Sequence, residues 1–145
     1  MGTVMNDTWG GSFTEIERKG VKTILVPTNF SESSDLALRM AIDLAQQQKA
    51  RIYLLHVQQP RKVGDDLKLI QEQLAKFPEA KSVEILPEVR KGKPHEEILK
   101  VQSEKKINLI IITPHRQPGF IYTLFRSVTE KVKKKAQCSV LVVGT

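Results

Sequence analysis

Along this chain, short and almost wholly apolar runs alternate with longer amphipathic stretches, a pattern that predicts strands and helices in turn. Lys22 to Val26, Arg51 to Val57, Leu109 to Ile112 and Ser139 to Val143 are the apolar runs, rich in β-branched residues, and they read as strands covered on both faces. Val83 to Val89 alternates more weakly and contains Pro87, which has no N–H to give a ladder, so it belongs at or beside a sheet edge. Between the first two runs, Pro27-Thr28-Asn29-Phe30 turns, and Ser31 or Ser33 caps a helix with Leu36, Ala37, Met40, Ala41, Leu44 and Ala45 on one face. Past Pro60 and Gly64, a second helix is expected to bury Leu67, Ile70, Leu74 and Phe77. Gly92-Lys93-Pro94 ends the weak strand, and Pro94 suits the first turn of a helix that turns Ile98 and Val101 inward. After Ile112 comes a loop, PHRQPG. The hydroxyl-to-glutamate spacing of Ser127-Val128-Thr129-Glu130 then forms a capping box that starts the last helix, with Val128, Val132 and Ala136 as its apolar positions.

This order of elements predicts an α/β domain with an open, mainly parallel five-stranded sheet flanked by helices. A length of 145 residues suits one domain and its core. We place that domain at 21–145. Residues 1–20 carry glycines and polar residues without periodicity and read as an N-terminal extension, with disorder expected over part of it; Trp9, Phe13 and Ile16 are its apolar anchors. No apolar run approaches the roughly 18 residues of a membrane span, and the first residues lack a signal-peptide pattern, so a cytoplasmic protein without membrane contact is expected. The single cysteine, Cys138, has no internal disulfide partner and sits just before the last strand, as an inert, partly buried thiol would.

Catalytic chemistry finds little support. The chain has no G-x-S-x-G elbow, no H-E-x-x-H, no C-x-x-C and no P-loop. His56, at the end of the second strand, reads as a hydrogen-bonded structural histidine, and His95, after Pro94, as a solvent-facing one. His115, in the loop after Ile112, is the histidine best placed to approach a ligand. These three are far apart, with no cysteine or carboxylate cluster at metal spacing. Asp65-Asp66 and Glu96-Glu97 stand at helix starts and read as surface charge that complements the helix dipole. With 23 Lys plus Arg against 16 Asp plus Glu, the formal charge is +7 and the sequence pI about 9.6. Lys131, Lys133, Lys134 and Lys135 concentrate part of that charge on the last helix. They lack aromatic interleaving, and a solvated helix face is preferred over a nucleic-acid groove.

The stretches ILVPTNFSESSDLALRMAIDLA, IYLLHV, GKPHEEIL, LIIIT and SVTEKVKKKAQCSVLVV, in this order and spacing, resemble the universal stress protein family of the short, single-domain kind. The resemblance spans about Val21 to Val143. It implies an adenine-nucleotide α-hydrolase-like fold, a Rossmann-like three-layer arrangement, and a homodimer in which the strand Ser139 to Val143 pairs with its copy about a two-fold axis. It also implies a non-enzymatic stress-response role through protein contacts.

ATP-binding proteins of that family share a glycine signature: Gly, two residues, Gly, nine residues, then Gly with Ser or Thr. The spacing survives here, but Thr113, Arg116 and Arg126 stand where the glycines would, with only Ser127 kept. Glycine lets backbone approach phosphate and adopt positive φ, which costs most other residues about 1 to 2 kcal/mol. An acidic residue of the first loop is Asn29 here. The candidate cleft carried over from the resemblance is formed by Pro27, Thr28, Asn29, Val57, Ile112, Thr113, His115, Arg116, Arg126, Ser127, Val128 and Thr129. Val57 and Ile112 would be apolar contacts to a base. Arg116 and Arg126, beside a helix start capped by Ser127, favour an anion by charge. Their bulk opposes one where backbone should touch phosphate, and Pro114 and Pro118 stiffen the loop. No cofactor in the family's ATP pose is therefore expected. The alternative is a member of the family that binds ATP or AMP, phosphate or sulfate in this cleft, and the third reading is a basic nucleic-acid-associated protein.

Overall fold

A computed structural model of the protein describes residues 20–58, 64–114 and 120–144, with side chains described for all of these but 120–126. Five strands, β1 (Thr23–Pro27), β2 (Arg51–Gln58), β3 (Ile85–Lys91), β4 (Leu109–Ile112) and β5 (Ser139–Val142), form one sheet in the order β3-β2-β1-β4-β5. Every pairing is parallel; Ile24 lies opposite Ile52 on one side and Leu109 on the other. The expected α/β sheet is therefore present. The chain builds outward from β1 to β3, then returns to the other side for β4 and β5, so the strand order reverses between β1 and β4. In open α/β sheets that reversal marks the crevice where ligands bind, at the carboxyl ends of the strands.

Strand parity assigns the layers. Ile24, Val26, Ile52, Leu54, Leu109, Ile111 and Leu141 share a core with helix α1 (Glu32–Gln48) and helix α2 (Asp66–Leu74). Leu25, Leu55, Ile110, Ile112, Val140 and Val142 face the opposite way and share a core with helix α3 (Pro94–Glu104) and helix α4 (Phe120–Lys135). Both faces are covered, which is why the central strands carry no polar alternation. β3 is a terminal strand, as Pro87 requires, although it runs two residues later than the apolar pattern indicated.

Two helices correct the expected stripes. On α1 the buried face is Ser34, Ala37, Leu38, Ala41, Ile42, Leu44 and Ala45, with Leu36 and Met40 only partly covered. The helix is rotated so that its small residues lie at the centre of the contact. On α2, Leu67 is 49% exposed, while Asp66, Ile70 and Gln73 face inward. Their i, i+4, i+7 spacing is helical, but two of the three are polar, so an apolar-only template missed them. Phe77 is buried beyond the helix end, and Leu74 packs partly against the same core.

Candidate functional site

Pro27 ends β1 at the strand reversal, and the loop after it is held almost entirely by its own polar groups. The buried Thr28 uses its backbone N–H on Leu55 O at 2.8 Å, and its Oγ1 accepts from Phe30 N at 3.0 Å. Asn29 Oδ1 accepts from Ser31 N, Ser31 Oγ and Ser34 Oγ at 3.2, 2.6 and 2.6 Å, and Asn29 N donates to Ser34 Oγ at 3.1 Å. Ser31 is the N-cap of α1, its Oγ accepting from Ser34 N at 3.2 Å. The Asn29 side-chain carbonyl is therefore built into the start of α1. Its neutrality suits this place: an acidic residue accepting the same bonds would set a negative charge beside the first-turn Glu32 and Asp35. Phe30 adopts φ +66, a left-handed conformation that costs a bulky residue about 1 to 2 kcal/mol. Its ring centroid lies 4.5 Å from that of His56, and its N–H bond to Thr28 closes the turn.

A second polar layer binds α2 to this loop. Thr28 Oγ1 donates to Gln73 Oε1 at 3.0 Å, Gln73 Nε2 donates to Asp35 Oδ1 at 2.9 Å, and Lys76 Nζ reaches Asp35 Oδ2 at 2.8 Å. His56 Nδ1 lies 2.8 Å from Thr28 O, and its Nε2 lies 3.1 Å from Asp66 Oδ2. The Asp66 contact is an ion pair by distance. It is not an aligned hydrogen bond, and the buried Oδ2 has no hydrogen-bond partner among the described residues. The structural reading of His56 holds. The surface reading of the carboxylate pairs holds for one member of each: Asp65 caps α2 through Lys68 N, and Glu96 is exposed, but Asp66 is 3% exposed. Glu97 is likewise buried, with Lys100 at 3.1 Å and Arg90 at 3.8 Å. In each pair the helix turn points one carboxylate out and one in.

On the other side of the reversal, Ile112 and Thr113 are buried, Ile112 O accepts from Val143 N, and Thr113 O accepts from Thr129 Oγ1 at 3.4 Å. His115 and Arg116 lie outside the described residues, as does the side chain of Arg126. The helix expected to begin at Ser127 begins at Phe120. Ser127 is thus an exposed residue inside α4, and the N–H groups around it point at carbonyls four residues back, leaving no free cluster of donors for an anion there. The capping-box spacing misled because the preceding residues, FIYTLFR, are also compatible with helix and carry it past the serine. Val128 and Thr129 are buried against the sheet. Val57 is half-buried one strand away on β2. The structure therefore brings Pro27 to Asn29 beside Ile112 and Thr113, while Ser127, Val128 and Thr129 belong to the body of a helix.

Away from this crevice, Cys138 is held as a neutral thiol, its pKa pushed up to about 12 by burial and drawn back only partly by the backbone at Ile110. His95 is half-buried, contrary to the solvent-facing expectation, and burial first, then Lys131 and Lys135, lower its pKa. Arg90 on β3 pairs with Glu88 and, at 2.7 Å, with Glu104; these bonds, the Glu104 bond foremost, raise the Arg90 pKa and lower that of Glu104. Among the described residues no three His, Cys, Asp or Glu side chains gather to hold a metal, and no helix is long and apolar enough to cross a membrane.

The sequence profile of the Universal stress protein family matches residues 20–144. Universal stress protein MJ0531 of Methanocaldococcus jannaschii is 31% identical over 138 residues, covering 84% of this chain and 81% of that protein. Among solved structures, MJ0577 superposes with a TM-score of 0.62 at 30% identity, over 85% of this chain and 95% of its own. A universal stress protein in complex with cAMP superposes with a TM-score of 0.69 at 21% identity, over 86% of this chain and 97% of its own, and shares the fold.

Proposed function

The chain belongs to the universal stress protein family, and from that membership we propose that it is a non-enzymatic, dimeric stress-response protein that does not take ATP in the pose of the glycine-signature members. One observation carries this reading: the last two signature positions, Arg126 and Ser127, lie in a helix continuous from Phe120, so the N–H groups near Ser127 are internal to α4. The replacement of the signature glycines by Thr113, Arg116 and Arg126 supports it, because the sequence has no glycine at positions where its missing Cβ would let backbone meet phosphate. The non-enzymatic reading is supported at His56, whose two ring nitrogens both face oxygens of the fold and leave neither directed at a substrate.

The dimer follows from the same membership and would use Ser139 to Val143. Its support in the fold is that β5 is a terminal strand, paired to β4 on one side only among the described residues. Sedimentation equilibrium of the full chain with and without ATP tests both parts. The expected result is a dimer whose affinity ATP does not change; a monomer, or a dimer strengthened by ATP, would contradict the proposal.

A second reading is an adenine mononucleotide or small anion in the crevice between the loop after β1 and the segment after β4, with Arg116 and Arg126 as charged contacts. The strand reversal there favours it, and a protein of the same fold carries cAMP. AMP, cAMP and phosphate titrations separate this reading from the first.

A further inference from the structure

Charge is unevenly placed on this fold. Helices α1, α2 and α3 each carry more acidic than basic residues, whereas α4 from Ser127 onward carries Lys131, Lys133, Lys134 and Lys135 against the single acid Glu130. Val128 and Val132 turn inward, and Lys131 and Lys135 repeat the same i, i+4 spacing, about 6 Å apart along the helix. That row lies beside the start of α3: Lys131 and Lys135 are near enough to His95 to act on its charge, and Lys93 adds a third cation there. Glu130 is already taken by Lys133 at 3.5 Å. Lys93, Lys131, Lys134 and Lys135 are exposed, with no carboxylate in ion-pair reach among the described residues.

A solvated helix face is the expectation from the lysine run alone; the fold adds Lys93 and His95 from a second helix. The helix dipole accounts for part of the cluster, since it favours cations in the last turn of α4, where Lys133, Lys134 and Lys135 stand. Lys131 lies ahead of that turn, and Lys93 and His95 occupy the start of α3, where the dipole favours anions instead. Like charges are thus gathered against local preference, with Glu96 as the one acid among them. We propose that this surface, formed by Lys93 and His95 of the α3 start with Lys131, Lys134 and Lys135 of α4, binds duplex nucleic acid through its phosphate backbone without reading sequence. The pI of about 9.6 fits such a partner, because it favours approach to a polyanion from any direction before the patch engages.

The residues around the patch separate this partner from others. A membrane surface is held by apolar side chains sunk beside the lysines, but the large apolar side chains exposed among the described residues, Leu67 and Leu69, are on α2, across the sheet. A single strand stacks its bases on aromatic rings, and a protein partner seats aromatic or aliphatic anchors in its interface. The exposed face of α4 from Ser127 onward is Ser127, Glu130, Lys131, Lys134 and Lys135, which offers neither. A duplex backbone asks only for cations at short spacing, and that is what the two helices present.

Fluorescence anisotropy of the full chain with a labelled, mixed-sequence DNA duplex of about 20 base pairs tests this. Binding is expected at about 20 mM salt and should weaken steeply by about 150 mM. Lys131→Gln/Lys135→Gln should weaken it about tenfold and lower the salt slope by about 2. Lys68→Gln/Lys81→Gln removes the same charge from the α1 and α2 side of the sheet and should change affinity by less than about twofold. Both pairs replace exposed side chains only. No binding at low salt would overturn the assignment, as would an equal loss in the two double variants, which would reduce it to net charge. Equal affinity for polyglutamate of matching charge would give the surface to an acidic protein, and tighter binding to phosphatidylserine vesicles would give it to a membrane; either result also overturns it.

Discussion

The two segments that flank the strand reversal dispose of their polar groups in different ways. The loop after β1 does it with side chains: Asn29, Ser31, Ser34, Thr28, Gln73 and His56 satisfy one another over a few ångströms. The body of α4 does it with backbone, since the N–H groups around Ser127 lie inside a helix continuous from Phe120. The difference is one of means: side chains hold the loop on one side of the reversal, and helical backbone bonds occupy the N–H groups around Ser127 on the other.

That contrast can be broken, most severely at His56. In His56→Ala the Thr28 carbonyl loses its partner, Phe30 its ring contact and the buried Asp66 its neighbour, and we expect a loss of about 2 to 3 kcal/mol in urea unfolding. Next is Asn29→Ala, which removes an acceptor shared by one backbone and two side-chain donors at the start of α1; about 1 to 2 kcal/mol should go, with no change in ATP affinity because none is expected. Both variants report on side chains. On the backbone side, Arg126→Gly places glycine inside α4 and should cost about 1 kcal/mol. In a loop ahead of a helix starting at Ser127, the same change would be neutral or favourable. The smallest effect is the sharpest in sign: Ser127→Ala should stabilise slightly, by about 0.3 kcal/mol, as an exposed helix-interior site does, whereas an N-cap would lose about 1 kcal/mol. Thermal or urea unfolding of these two variants therefore separates the two helix starts by direction alone.

Much of the fold was legible because its signals are local. Four apolar runs, Pro87 at a terminal strand, Ser31 as N-cap and Pro94 at a first turn each express a preference of a few residues, and the structure agrees with each. The polar interior was not legible. Asp66 and Gln73 lie on the inner face of α2 because His56 and Thr28, distant in sequence, supply their partners, and no one-dimensional pattern contains those partners. The only available hint was the helical spacing of Asp66, Ile70 and Gln73. Ser127 failed for the opposite reason: a local signal was present, and the helix-compatible residues before it overrode it.

The central claim is that the crevice is closed to ATP in the family pose by the chain that replaces the glycines. Calorimetry with ATP on the wild type beside Arg116→Gly/Arg126→Gly tests it most directly. The account predicts no binding heat for the wild type, with binding appearing in the double variant if side-chain bulk is the barrier. Micromolar binding by the wild type, about 8 kcal/mol, that weakens in the double variant would contradict it and make the two arginines the phosphate clamp.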